Sequence, residues 1–192
     1  CSEEQMVRDQ ARKLLRDRAD IESLRKLVAA DHDVYEAATP PLRWDQALWK
    51  EMVNLGWTAL AVPESAGGVG MKAIAVAALT EEAGRVALPS PLVATFIATA
   101  VLKAAGADAW LERIARGEAA TLAGPGGDGS WEPGSTPVEA SAAGELRGTA
   151  LFVQDARKAA FFVVAARAPG GVGLYAVPAG APGVTIHPDR IV

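Results

Sequence analysis

The stretch VPESAGGVG, residues 62–70, places three glycines and Ser65 in nine residues, just ahead of an Ala-rich segment. Glycine-rich loops that open helices can turn backbone N–H groups onto a phosphate. Such a cradle normally follows a strand, which aims those N–H groups. Here a helical pattern precedes the loop, and no Lys-Ser/Thr pair of the nucleotide-binding type follows it. The residues therefore predict a tight structural turn between helices, with glycine supplying positive φ. Glu81 and Glu82 in TEEAGR pair two carboxylates, as acid–base chemistry would require. Arg85 stands four and three residues further on, so intrahelical ion pairing accounts for both. His32 and His187 lie far apart, with no other ligand at metal spacing and no nucleophile-elbow context. Trp44, Trp49, Trp57 and Trp110 lie in or beside amphipathic segments away from basic clusters, a pattern of core and interface packing rather than base stacking.

The elements that must position such residues fall into two halves. Residues 1–118 read as an α-helical domain. Val7, Ala11, Leu14 and Leu15 share one helical face, with charges opposite. IESLRKLVAA is a second amphipathic segment, and Trp44, Leu48 and Met52 share a face in a helix expected from about Asp45 to Gly56. MKAIAVAALTEEAGR is a further helix. In SPLVATFIATAVLKAAG, Ser90 caps, Pro91 opens the first turn and Gly106 terminates. Val93, Phe96, Ile97, Ala100 and Val101 form its expected inner face, with burial expected on most sides. DAWLERIARGE closes this half. From residue 119 to 192, TALFV, AFFVVAA and VGLYAVP alternate with the turn sequences AAGE, APGG and AGAPG, which predicts an antiparallel, barrel-like β-domain. The fold class expected is α+β, an all-α bundle followed by that β-domain.

Composition narrows the function. Of 192 residues, 50% are hydrophobic and 22% charged, and 23 acidic against 19 basic side chains give a net charge of −4. No electrostatic surplus invites nucleic acid or an anionic membrane. The longest apolar run, LVATFIATAVL, is too short to span a bilayer. The single cysteine, Cys1, excludes a disulfide framework and fits a cytoplasmic setting. A first residue other than Met and few strands before Val192 predict a native start upstream and further chain downstream.

Several weak motifs then recur in one order: LGWTALAVPESAGGVG, LTEEAGRVALPSPLVAT, ELRGTALFVQDARKAAFFVVAAR and GLYAVPAGAPGVTI. Together, from about Leu42 to Val184, they resemble the acyl-CoA dehydrogenase family. The resemblance implies FAD held between the β-domain and a C-terminal four-helix bundle, and α,β-dehydrogenation of an acyl-CoA thioester within lipid metabolism and fatty acid β-oxidation. It also implies a carboxylate base, an electron-transfer flavoprotein as electron acceptor, and homo- or hetero-oligomers with homologous chains.

The resemblance also implies site residues. The Thr-Glu-Pro-x-Ala-Gly-Ser-Asp segment of relatives corresponds to TLAGPGGDGS, so Leu122, Ala123, Gly129 and Ser130 become cofactor-binding candidates, with Pro125 in place of the motif proline. Ala123 and Gly124 stand where the Thr and Glu belong, and Ala150 where a Lys is expected. The Trp-Ile-Thr/Ser stretch beside the flavin ring corresponds to Phe152, Val153 and Gln154. Phe152 is open between flavin contact and core packing, and the Gln154 amide can donate in place of a hydroxyl. The catalytic Glu of relatives has no counterpart up to Val192, so no catalytic residue is assigned. The degenerate motif keeps a second reading open, a non-catalytic structural subunit of a heteromeric acyl-CoA dehydrogenase, and a third, an interaction module without redox chemistry.

Overall fold

The computed structural model describes residues 2–28, 42, 44–124, 129–130 and 132–188. Among the described residues six α-helices form where the apolar spacing places them: α1 (Ser2–Arg18), α2 (Ile21–Val28), α3 (Gln46–Asn54), α4 (Ala73–Arg85), α5 (Leu92–Ala104) and α6 (Asp108–Ala115). The expected face of α1 is the packed one: Ala11 and Leu15 are buried, with Val7 and Leu14 against the same cluster. Asp45 caps α3 by accepting the Leu48 N–H at 2.8 Å. Trp49, Met52 and Trp57 then join Leu79, Leu92 and Phe96 in the helical core.

Helix α5 departs from the expectation. Val93 and Ile97 are 39% and 41% exposed, whereas Leu92, Thr95, Phe96, Thr99 and Leu102 are buried. The helix is apolar nearly all round, so counting apolar side chains does not select a face. Two threonines select it instead, because their hydroxyls are satisfied inside the protein. Thr95 donates to the Pro91 carbonyl at 2.7 Å and accepts the Ala120 N–H at 3.2 Å, and Thr99 donates to the Thr95 carbonyl at 2.8 Å.

The loop at 62–70 is a turn, as expected. It carries a single 3₁₀ turn at Glu64–Ala66, with Gly67 and Gly70 at φ 75° and 70°. A Cβ on Gly68 would lie 2.0 Å from the Val62 carbonyl oxygen. The N–H groups of Gly67, Gly68, Val69, Gly70 and Met71 all bond to carbonyls of residues 59–64. None of those five is left to meet a phosphate.

Among the described residues five strands make one sheet: β1 (Ala120–Ala123), β2 (Glu139–Ala140), β3 (Leu146–Arg147), β4 (Phe161–Ala168) and β5 (Gly171–Pro178). Strand β4 is central. Strand β5 pairs antiparallel along its whole length, across the expected turn at Pro169 and Gly170. Strands β1 and β2 both pair with β4 in parallel, β1 at 161–164 and β2 at Arg167. A strand has two edges, so β1 and β2 share the edge that β5 leaves. The sheet is therefore mixed where an antiparallel one was expected, and among the described residues it does not close into a barrel. Local sequence encodes hairpins, but parallel partners meet only through long connections. A second correction concerns TALFV: only Leu146–Arg147 just before it is a strand, and residues 149–153 are irregular.

The alternation along β4 creates two faces. Phe161 and Val163 pack with Val62, Leu102, Leu111 and Ile114 against the helices. Phe162, Val164 and Ala166 point the other way. Among the described residues, no helix is long and apolar enough to cross a membrane.

Candidate functional site

The face of the sheet turned away from the helices forms the floor of an open cleft of about 1180 Å³. Phe162, Val164 and Val138 supply an apolar floor, and the segment 146–158 forms one wall. Gly148 brings that wall close: a Cβ there would lie 2.4 Å from the Pro137 carbonyl oxygen, at φ 141°. Among the described residues the lining is cationic on balance, with Arg147, Arg157 and Lys158 against a single carboxylate, Asp155. Asp155 binds Lys158 at 2.7 Å.

The residues nominated from sequence divide. Ala123, Phe152, Val153 and Gln154 all line the cleft. Leu122 does not, because strand alternation turns its side chain to the helix-side cluster. Gly129 and Ser130 are also absent from the lining. Ser130 accepts the Glu132 N–H at 3.2 Å, and its carbonyl accepts the Ser135 hydroxyl at 3.2 Å. Pro125 and His32 lie outside the described residues. His187 lines the cleft. Among the described residues no group of three or more His, Cys, Asp or Glu is arranged to hold a metal ion.

Phe152 has the conformation least expected of its residue type. Its φ is 54°, in the left-handed region that a bulky side chain avoids, and the residue is 64% exposed. The ring is not in the core formed by the described residues. Asp155, three residues on, is also left-handed at φ 52°. Between them, Gln154 is exposed and Val153 leans on the sheet cluster. Two left-handed residues in a four-residue stretch make a bump that turns the Phe152 ring and the Gln154 side chain outward. Backbone strain of this kind persists only where surrounding contacts fix it.

Those contacts come from residues that sequence reading passed over. Thr121, 1% exposed in β1, donates its hydroxyl to the Gln154 carbonyl at 2.7 Å. Lys158 reaches both Asp155 and, at 3.3 Å, the carbonyl of Pro89 in the turn before α5. A threonine in the middle of a four-residue apolar strand was the one local signal available. The Lys158 contact to Pro89, across 69 residues, left none.

Glu81 and Glu82 lie away from this cleft. Glu82, 2% exposed, takes two hydrogen bonds from Arg12 of α1 at 2.8 and 3.1 Å, with Arg85 at 3.4 Å. Glu81 pairs with Arg8 at 2.9 Å and with Arg85 at 2.8 Å. The Arg12 hydrogen bonds hold the Glu82 carboxyl below its ordinary value against the opposing effect of burial. The pair is a staple between α1 and α4, and the expected partner Arg85 is only part of it.

The family model for the acyl-CoA dehydrogenase N-terminal domain matches residues 2–118. The acyl-CoA dehydrogenase IpdE2 of Mycobacterium tuberculosis (strain ATCC 25618 / H37Rv) is 33% identical over 120 residues, which cover 61% of this chain and 35% of that protein. A variant of the Tcur3481-Tcur3483 steroid ACAD superposes with a TM-score of 0.79 at 29% identity, over 95% of this chain and 49% of the other. The ChsE4-ChsE5 complex from Mycobacterium tuberculosis gives a TM-score of 0.76 at 25% identity, over 95% and 48%. The chain thus spans about a third of the curated relative's length and about half that of the solved structures. The helical match covers more than half of the chain, and the fold agreement extends through the sheet that floors the cleft. By sequence and by fold, this chain belongs to the acyl-CoA dehydrogenase family.

Proposed function

We propose that the chain forms the cofactor-facing part of an FAD-dependent acyl-CoA dehydrogenase, acting on an acyl-CoA thioester and passing electrons to an electron-transfer flavoprotein. The observation that carries this reading is Phe152, held left-handed with its ring outside the core at the wall of a cleft about 1180 Å³ in volume. Ordinary small-molecule pockets run to about 1,000 Å³, so the cleft suits a large ligand. Its apolar floor suits an aromatic ring system, and Arg147 and Arg157 suit phosphates. These residues fit FAD. Leu122, Gly129 and Ser130, the other nominated contacts, would reach it only through backbone or from outside the cleft.

Bound FAD supplies a two-electron acceptor for the hydride leaving the acyl β-carbon. The chain's own part is to orient it. Phe152 offers an aromatic surface, Gln154 an amide N–H donor, and the apolar floor excludes water. The base that takes the α-proton is not among the residues lining the cleft. Among the described residues Asp155 is the one carboxylate lining it, and Lys158 holds it at 2.7 Å. In this reading the base comes from chain beyond the described residues, residues 1–118 and 119–192 act as helical and β domains, and the protein works in the cytoplasm as an oligomer.

Ala123 and Gly124 favour a second reading. They carry no polar side chain where the family motif has Thr and Glu. The similar ChsE4-ChsE5 structure is a complex of two named chains, which supports this reading. The chain would then be the structural subunit of a heteromeric dehydrogenase. The visible spectrum of the full-length product, purified with and without a co-encoded homologue, separates the two. Flavin bands that bleach with an acyl-CoA support the enzyme. Flavin retained only in the presence of the homologue supports the structural subunit. A colourless protein in both cases overturns the flavin reading.

A further inference from the structure

Nothing in the flavin reading itself explains why residues 152–155 hold an unfavourable backbone. Phe152 and Asp155 are at φ 54° and 52°, and Phe152 gains no burial in return. Left-handed backbone is disfavoured for bulky side chains, so the segment would relax unless something fixed it. Two groups are placed to do so. From beneath, the buried Thr121 hydroxyl donates to the Gln154 carbonyl at 2.7 Å. From the helical side, Lys158 is bonded to Asp155 Oδ1 at 2.7 Å and to the Pro89 carbonyl at 3.3 Å. Lys158 and Asp155 are only 14% and 16% exposed, so water screens their pairing little. Pro89 ends the turn that follows α4, and α5 starts at Leu92. The segment is therefore tied at one point to the sheet and at another to the helical half.

We infer that Thr121 and Lys158 are positioning residues for the cofactor. They lock the 152–155 segment so that the Phe152 ring and the Gln154 amide face the cleft, and Lys158 makes that lock depend on the docking of the turn before α5. This inference rests on the flavin reading of the cleft. Neither residue is offered as a cofactor contact: Thr121 is spent on the Gln154 carbonyl, and Lys158 on Asp155 and the Pro89 carbonyl. Unlocked, the free protein could relax Phe152, and binding would have to restore the strained form. Apparent affinity falls by the fraction of molecules left competent.

The test uses the full-length protein, with its homologue if one is needed for flavin uptake. FAD affinity of the apoprotein is measured by quenching of flavin fluorescence, and the reduction potential and visible band of the bound flavin are recorded. Thr121→Val removes the hydroxyl at constant shape, Thr121→Ser restores it, and Lys158→Met breaks the tie from the other side. The expected result is an FAD dissociation constant raised about tenfold in Thr121→Val and in Lys158→Met, a shifted visible band, and near-wild-type values for Thr121→Ser. Should Thr121→Val fail to fold, Lys158→Met, at the less buried position, carries the test. Wild-type FAD uptake with unchanged affinity and spectrum in the variants overturns the positioning role and leaves the flavin reading intact. A wild-type protein that takes up no FAD overturns the flavin reading, and the positioning role with it.

Discussion

Three residues other than glycine are left-handed among the described ones: Ala87, Phe152 and Asp155. Ala87 and Phe152 carry the same kind of strain for different reasons. Ala87 follows α4 in a Schellman motif, in which its N–H bonds to the Gly84 carbonyl at 3.1 Å and the Leu88 N–H to the Ala83 carbonyl at 3.1 Å. The same motif ends α3, α5 and α6 at Gly56, Gly106 and Gly117, all at positive φ. Ala87→Gly should therefore raise stability by about 0.5–1 kcal/mol and leave every binding property unchanged, as thermal melts and FAD titration would record. Phe152→Gly relieves the same strain and discards an exposed ring. Stability should again rise by about 0.5–1 kcal/mol, but FAD affinity should fall about fivefold, since ring stacking is worth about 1 kcal/mol. Equal flavin affinity in Phe152→Gly and wild type would show that the ring does not meet the cofactor. The three glycine stops could be read from sequence because glycine announces positive φ. Phe152 could not, because a Phe in a Val- and Leu-rich run reads as strand.

Among the elements, α1 and α4 show where local reading ends. The face of α1 was legible from the spacing of Val7, Ala11, Leu14 and Leu15, and the pairing of Glu81 with Arg85 from their four-residue separation. That Arg12 would take Glu82 was not legible, because the partner lies 70 residues away and only packing brings the helices together. Glu82→Gln should cost about 2 kcal/mol, the scale of hydrogen bonds to a charged group, with the loss limited because Arg12 is half exposed and rehydrates. The pH dependence has a fixed sign. The folded-state pKa of Glu82 lies below its ordinary 4.5, so its contribution is complete above about pH 4.5 and is lost as pH falls through the folded value. Melting temperatures of wild type and Glu82→Gln should differ most near neutral pH and converge in acid. A gap that stays constant down to pH values below 4.5 would assign the staple to shape rather than charge. Helix α5 illustrates the opposite failure. Its apolar residues point everywhere, and the deciding signal was Thr95 and Thr99, which polarity scales would have placed outside.

At the scale of the whole molecule, helices and sheet are not joined by a mere linker. Val62, Leu102, Leu111 and Ile114 from the helical half share one buried cluster with Ala120, Phe161 and Val163 from the sheet. The Trp110 ring lies 4.8 Å from that of Phe161, and the Arg113 guanidinium covers both at 4.6 and 4.9 Å. Glu118 fixes Arg113 from beyond the end of α6 with hydrogen bonds at 3.0 Å, and this pairing raises the guanidinium pKa above its ordinary value. The helical and strand grammars of the sequence were plain, and so was the change between them near residue 118. Their common core was not, because a buried Phe in a strand and a Leu in a helix look the same whichever partner they meet. A shared core has a thermodynamic consequence that two linked domains would not show. Phe161 is fully buried, and truncating it to Ala should cost about 3–5 kcal/mol. If the cluster couples the halves, that loss is felt by both: far-ultraviolet circular dichroism, reporting the helices, and the amide NMR signals of β4 and β5, reporting the sheet, should give one coincident unfolding transition in wild type and in Phe161→Ala, shifted together. Two separated transitions, with only the β4 and β5 signals moved by the substitution, would mean that the halves fold as independent units. The route from the turn before α5 through Lys158 to the cleft wall would then lack the rigid frame it needs.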